Sequence, residues 1–191
     1  MILQLLASIA LTYGKEISFS DGYILFEVPD DYTALSQSEM DIKYPSKQGP
    51  RMAVGNDTRA ISIAYDLQET EIPAEAMVEK ELPNAQQYFT QVYNRLIPGI
   101  QWVENKIIKQ AGIKWMYFEM TSRGIDTDIH NIVLMSFYEN KLLIFNFNST
   151  QTLFENNKET LLNSIASIKI RKRVEQSVPG YPPQSVGSPE P

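Results

Sequence analysis

The sequence predicts a mixed α/β (α+β) domain, in which a twisted, mainly antiparallel sheet carries a long helix and a C-terminal helix packed on it. Three observations predict this fold class. Apolar runs with the alternation typical of strands follow one another over Lys114–Asn148. Apolar residues recur at helical spacing over Glu69–Pro98. A second helical pattern follows the strands and ends near Ile168.

Three consecutive strands form the predicted centre of the sheet, at Lys114–Thr121, His130–Tyr138 and Lys141–Asn148. β-Branched and aromatic side chains dominate all three, as strands prefer. Both faces of the middle strand are apolar, which indicates a central strand covered on both sides. Glu139-Asn140 favours a tight turn, because Asn tolerates a positive φ.

Further strands are predicted before the long helix. Glu16–Pro29 has the pattern of a hairpin, since the Asp-Gly pair in Ser20-Asp21-Gly22 is a strong turn signal between apolar runs. Shorter strands are expected at Asp41–Tyr44 and Arg51–Val54, and a longer one at Ala60–Leu67.

The two predicted helices differ in how they begin. Pro83 should either kink the long helix or begin a second one, because proline fits the first helical turn but not the interior. After the long helix, a strand is predicted over Gln101–Lys109. Thr152 and Glu155 have the spacing of a capping box at the start of the C-terminal helix.

The 191 residues divide into one domain at 15–170 and two flanking segments. The apolar segment 1–14 is either a signal remnant, with Met1–Ala10 removed, or the first buried element of the domain. The segment 171–191 combines a basic junction with a proline-rich tail, which lacks the apolar groups to offset its ordering entropy and is predicted to be disordered.

Composition excludes several kinds of function. The chain has no cysteine, so disulfides, thiolate metal sites and cysteine nucleophiles are excluded. Its net charge of −6 argues against nucleic-acid binding, which needs a basic footprint. No pattern of metal ligands or of a cofactor-binding loop stands out, so neither a metal nor a cofactor is predicted.

His130 is the only histidine, so a hydrolase with a histidine base would have to use it. Asp126 and Asp128 lie close in sequence and offer a carboxylate partner. The simpler interpretation, which we favour, is a polar residue at a strand edge. No catalytic residue is therefore predicted.

Two groups of side chains are candidates for binding a partner. Aromatic residues on an uncovered sheet face would act as anchors, whereas a covered face would make them core residues. A basic cluster could contact an acidic partner, a phosphate or an anionic membrane surface. The candidates are Trp102, Trp115, Tyr117, Lys169, Arg171, Lys172 and Arg173.

Four short patterns, within a region of roughly Ile17–Ile170, carry a resemblance to a known fold family. They are Gly22-x-Ile24-x-Phe26-x-x-Pro29, the strand Ala60–Leu67, the Ala111-Gly112 turn before an aromatic strand, and Ser164-Ile165-x-Ser167-Ile168. With these patterns the chain resembles the Mog1/PsbP-like fold and, within it, the bacterial DcrB-type proteins. The chain lacks the lipidated cysteine of the envelope lipoproteins in that group.

The resemblance implies a binding or accessory protein rather than an enzyme, since the group shares no catalytic residues. Its members include a Ran-binding factor, a photosystem subunit, envelope lipoproteins and chaperones of type VI secretion effectors. The expected function is therefore non-catalytic binding of a protein partner, in the bacterial envelope if Met1–Ala10 is a signal. The alternative is a cytoplasmic chaperone or immunity-type adaptor for a secreted effector, and membrane association is expected only through the N-terminal segment.

Overall fold

The computed structural model describes residues 14–44, 49–124 and 127–171. In chain order the strands are β1 (Lys15–Phe19), β2 (Ile24–Val28), β3 (Thr33–Ala34), β4 (Met52–Gly55), β5 (Ile61–Gln68), β6 (Gln101–Gln110), β7 (Ile113–Arg123), β8 (Asp128–Tyr138), β9 (Lys141–Thr150) and β10 (Lys169–Ile170). The helices are α1 (Gln37–Lys43), α2 (Leu82–Leu96) and α3 (Gln151–Ala166). The predictions for the N-terminal segment and the tail fall almost entirely outside these residues.

The described strands form two antiparallel sheets. The larger has the order β3-β4-β5-β9-β8-β7-β6, and the smaller has the order β1-β2-β10. The predicted β7–β8–β9 meander is confirmed, with β8 hydrogen-bonded on both sides. The predicted β1–β2 hairpin is confirmed as well, but it joins β10 in a sheet of its own.

Two tight turns fix the registers of the β6–β7 and β8–β9 pairs. Ala111 and Gly112 have φ angles of 53° and 81°, and Glu139 and Asn140 have φ angles of 50° and 57°. Two successive positive φ angles are typical of the hairpin turn whose twist matches that of the strands. The turn prediction at Glu139-Asn140 is therefore confirmed.

The prediction of a strand at Asp41–Tyr44 is wrong, because these residues end helix α1. Ser36 caps the helix: its side chain accepts from the Glu39 backbone N–H, and the Glu39 carboxylate accepts from the Ser36 backbone N–H. This reciprocal capping box satisfies two free amides at the start of the helix. Met40 then packs into a small core with Ala53 and Ala64.

Helix α2 confirms one of the two alternatives predicted for Pro83, whereas α3 begins at a different residue from the one predicted. Two short 3-10 turns occupy Ala74–Ala76 and Glu79–Glu81, and Pro83 lies in the first turn of α2, so it begins the helix rather than kinking it. The capping box at Thr152 is wrong. β9 continues to Thr150, which is the N-cap of α3 without a side-chain hydrogen bond to the helix.

The large sheet is covered on both faces. α2 packs on one face, over the half of the sheet that contains β7. On the other face, α3 and the small sheet enclose the main core. Phe26 and Phe145 meet there edge to face, with ring centroids 5.2 Å apart, a geometry that aromatic pairs prefer.

Candidate functional site

Three ionisable side chains form a buried network on the α3 face of the large sheet. Nε2 of His130 lies 2.9 Å from Oε1 of Glu119, and the Tyr117 hydroxyl donates to Oε2 of the same carboxylate at 2.8 Å. Each residue exposes less than a tenth of its surface. Because a carboxylate only accepts, the histidine nitrogen that faces it carries the hydrogen.

The strands place these groups side by side. Tyr117 and Glu119 are two residues apart on β7, so they point to the same face. His130 lies on β8 opposite Thr121, one step further along that face. Burial and the neighbouring Glu119 carboxylate raise the pKa of the Tyr117 hydroxyl, which keeps the phenol protonated and able to donate.

Helix α3 closes this network. The His130 ring stacks on the Phe154 ring with centroids 3.3 Å apart and an interplanar angle of 9°. Nζ of Lys158 lies 5.5 Å from the Phe154 ring centroid, so a cation also contacts this ring. The histidine is enclosed between strand and helix, and a substrate could reach it only if α3 moved.

The prediction for His130 is corrected in two ways. It is a buried residue within β8 rather than a polar residue at a strand edge, because Phe154 covers it. Its carboxylate partner is Glu119 and not Asp128, which is exposed, while Asp126 is outside the described residues. A Glu between apolar neighbours in β7 was the sequence signal that could have identified this partner.

The three aromatic candidates lie at different depths. Trp115 is fully buried, with its Nε1 donating to the Gln110 carbonyl, and Tyr117 is 7% exposed. Both face a covered sheet surface, which corrects the expectation of exposed anchors and makes them core residues. Trp102 is half-buried on the opposite face, where its Nε1 donates to Oδ1 of Asn94 on α2.

The basic candidates lie at the end of the small sheet. Lys169 is exposed, and its Nζ lies 3.6 Å from Glu27 and 3.8 Å from Glu16. The Arg171 backbone N–H donates to the Tyr23 carbonyl. The structure therefore places Lys169 beside acidic side chains of its own chain, while Lys172 and Arg173 fall outside the described residues.

Exposed apolar side chains mark a different surface from the one predicted. Among the described residues, six large apolar side chains are exposed: Ile42, Val78, Tyr88, Leu96, Val103 and Leu162. Two of these are on α2, where Tyr88 is 59% and Leu96 is 66% exposed. With the half-buried Val92 they form a row at intervals of four residues, which we call the α2 stripe.

One cleft among the described residues is small. A shallow cleft of about 90 Å³ lies between the 3-10 turns and the β7–β8 edge, where Lys114 pairs with Glu79 at 2.9 Å. Typical ligand pockets are several times larger.

In this described part of the chain, no three His, Asp or Glu side chains are grouped to hold a metal ion. No helix there is both long enough and apolar enough to span a bilayer.

Comparison with known proteins finds similarity in structure only. No family model matches the sequence, and no curated protein matches it significantly. Solved structures do match, among them the three that follow. Cyanobacterial PsbP (CyanoP) from Synechocystis sp. PCC 6803 is 11% identical with a TM-score of 0.60, covering 88% of this chain and 98% of CyanoP.

The other two structures are PA94 from Pseudomonas aeruginosa, a protein of unknown function, and LpqN from Mycobacterium tuberculosis, described as involved in cell envelope biogenesis. PA94 is 11% identical with a TM-score of 0.50, covering 83% of this chain and 98% of PA94. LpqN is 12% identical with a TM-score of 0.50, covering 83% of this chain and 86% of LpqN. At such low identity the likeness concerns architecture alone: the chain has a PsbP-like fold.

Proposed function

We propose that this chain is a non-catalytic accessory protein that binds a protein partner through the α2 stripe. The observation that carries the proposal is the exposure of Tyr88 and Leu96 on a helix that packs on the sheet through its other apolar side chains, such as Phe89. Scattered exposed apolar residues are ordinary, but a row at one-turn spacing matches the way a helix enters an apolar groove of another protein.

The arrangement of the titratable groups supports binding over hydrolysis. The only histidine is enclosed by Phe154 and held by Glu119, so it has no open space in which to meet a substrate. A general base has to come within hydrogen-bond distance of the group that it deprotonates. The His130 network therefore serves as a structural connection between β7, β8 and α3.

The fold is compatible with this role but leaves the partner open. The narrower resemblance to Mog1 and to DcrB-type proteins stays a prediction of the sequence. The envelope is the compartment that we favour, in line with the description of LpqN, and a cytoplasmic adaptor for a secreted effector is the second candidate. Fractionation of the cells that produce the chain distinguishes the two compartments.

Site-specific photo-crosslinking tests the stripe. A photoreactive amino acid at Tyr88 of the full chain should give a covalent adduct with one partner protein in the producing cells. The same group at Gln91, an exposed polar position on the same helix, is the matched control and should give little of that adduct.

A second measurement separates binding from folding. The Tyr88→Glu/Leu96→Glu variant should retain the wild-type unfolding midpoint, because both side chains are exposed, and should lose capture of the crosslinked partner. The Gln87→Glu/Gln91→Glu variant carries the same added charge and should retain capture. Equal capture by all three proteins would contradict the proposal.

A further inference from the structure

Strand β6 is an edge of the large sheet in the part of the chain that the structure describes. It comes last in the strand order and pairs only with β7 among the described strands. It has ten residues, whereas β3 at the opposite edge has two. In an antiparallel ladder, alternate residues of an edge strand direct their backbone N–H and C=O groups away from the sheet, where another strand can pair with them.

The centre of β6 carries opposite charges on either side of Asn105. Asn105 Nδ2 donates to Oγ1 of Thr90 on α2, which fixes Asn105 on the α2 face. Glu104 and Lys106 therefore point to the other face, where they form an exposed ion pair at 2.8 Å. Both side chains are close to half exposed, so they remain accessible to a second strand.

We propose that β6 pairs antiparallel with β6 of a second copy of this chain, about a two-fold axis at Asn105. This inference goes beyond the proposed function, because it uses the sheet edge and not the α2 stripe. In this register Glu104 of each copy lies opposite Lys106 of the other. The two-fold axis is perpendicular to the sheet, so equivalent faces stay on the same side and the interface is self-complementary.

The charge pattern selects this register over its neighbours. Centring the pair on Glu104 would place two carboxylates opposite each other, and centring it on Lys106 would place two ammonium groups opposite each other. Like charges directly opposite in a ladder are destabilising. Of these three registers, the one centred on Asn105 pairs both charges with their opposites.

An exposed apolar side chain lies next to this centre. Val103 is 57% exposed at a bulge, where the β6–β7 register shifts between Trp102 and Glu104. In the proposed pair a second copy of β6 lies alongside Val103. Self-pairing thus covers an apolar side chain that the single chain leaves in water.

Charge exchange tests the pairing in the full chain by sedimentation at several concentrations. The wild-type chain should form dimers, and Glu104→Lys or Lys106→Glu alone should weaken dimerisation by about ten-fold, because each places like charges opposite each other. An equimolar mixture of the two single variants should recover dimers, because one copy then presents two lysines to the two glutamates of the other. Lys109→Glu makes the same charge change as Lys106→Glu at another exposed position of β6. In the proposed dimer Lys109 lies opposite the neutral Gln101 of the other copy, so this variant should dimerise like wild type.

Each other outcome overturns the inference. A wild-type chain that stays monomeric at every concentration means that the edge is unpaired or is covered by other residues of its own chain. Single variants that dimerise like wild type, or a mixture that stays monomeric, exclude this register. Tyr88→Glu/Leu96→Glu should dimerise normally, so failure of the dimer and failure of the α2 stripe are distinguishable.

Discussion

Nε2 of His130 and Oε1 of Glu119 are 2.9 Å apart, in a part of the core where both side chains are more than nine-tenths buried. The carboxylate also accepts the Tyr117 hydroxyl, so one acidic residue satisfies two donors from adjacent strands. Burying polar groups is tolerated when they are hydrogen-bonded to one another. The stability of this region should therefore depend on Glu119 more than on either of its partners.

Replacing Glu119 with alanine should lower the free energy of unfolding by about 2–3 kcal/mol, because it leaves two buried donors unsatisfied. Glu119→Gln retains an acceptor oxygen and should lose less. Urea denaturation followed by circular dichroism measures both values. An unchanged midpoint for Glu119→Ala would show that the network does not contribute to stability.

Phe154 should be the most sensitive position on α3. It is 2% exposed and covers His130, so Phe154→Ala leaves a cavity and should cost about 3–5 kcal/mol. Leu162→Ala on the same helix is the matched control, since Leu162 is exposed and its loss should change stability by less than about 0.5 kcal/mol. Thermal unfolding of the two variants makes the comparison, and equal losses would contradict the packing described.

The capping box of α1 should make the stability of the chain depend on pH. Hydrogen bonds from Arg59 and Ser36 lower the pKa of Glu39 from 4.5 to about 2. A carboxyl whose pKa is lowered in the folded state stabilises it above the unfolded pKa, and this contribution is lost as the pH falls from about 4.5 towards about 2.

The Glu39→Gln variant isolates this contribution. The difference in unfolding free energy between wild type and variant should be constant above pH 4.5 and should shrink on acidification towards pH 2. Titration of the Glu39 carboxyl carbon by NMR measures the same pKa directly. A midpoint at the ordinary value would mean that the Arg59 contact does not persist in solution.

Regular patterns in the sequence predicted the sheet well. Alternation of apolar residues located β7, β8 and β9, and the Glu139-Asn140 turn followed from the tolerance of Asn for a positive φ. These features are local, so neighbouring residues determine them. The helical spacing likewise located α2, although the segment before Leu82 forms short 3-10 turns.

Features that depend on distant residues were not predicted. Asp41–Tyr44 resembles a short strand by itself, but Ser36 and Glu39 cap a helix there and Met40 packs on Ala64. The burial of Trp115 depends on α3 and the small sheet, which periodicity within one strand does not reveal. The pairing of Glu119 with His130 likewise joins positions eleven residues apart on two strands.

The small sheet affects how the chain folds while it is being synthesised. β2 pairs on one side with β1, which precedes it directly, and on the other side with β10, whose Lys169 lies opposite Leu25. The Ser167 hydroxyl, just before β10, accepts from the Glu27 backbone N–H. On the ribosome the β1–β2 hairpin therefore keeps an unprotected flank until the residues of β10 have been added, and nascent-chain aggregation should concentrate in that interval.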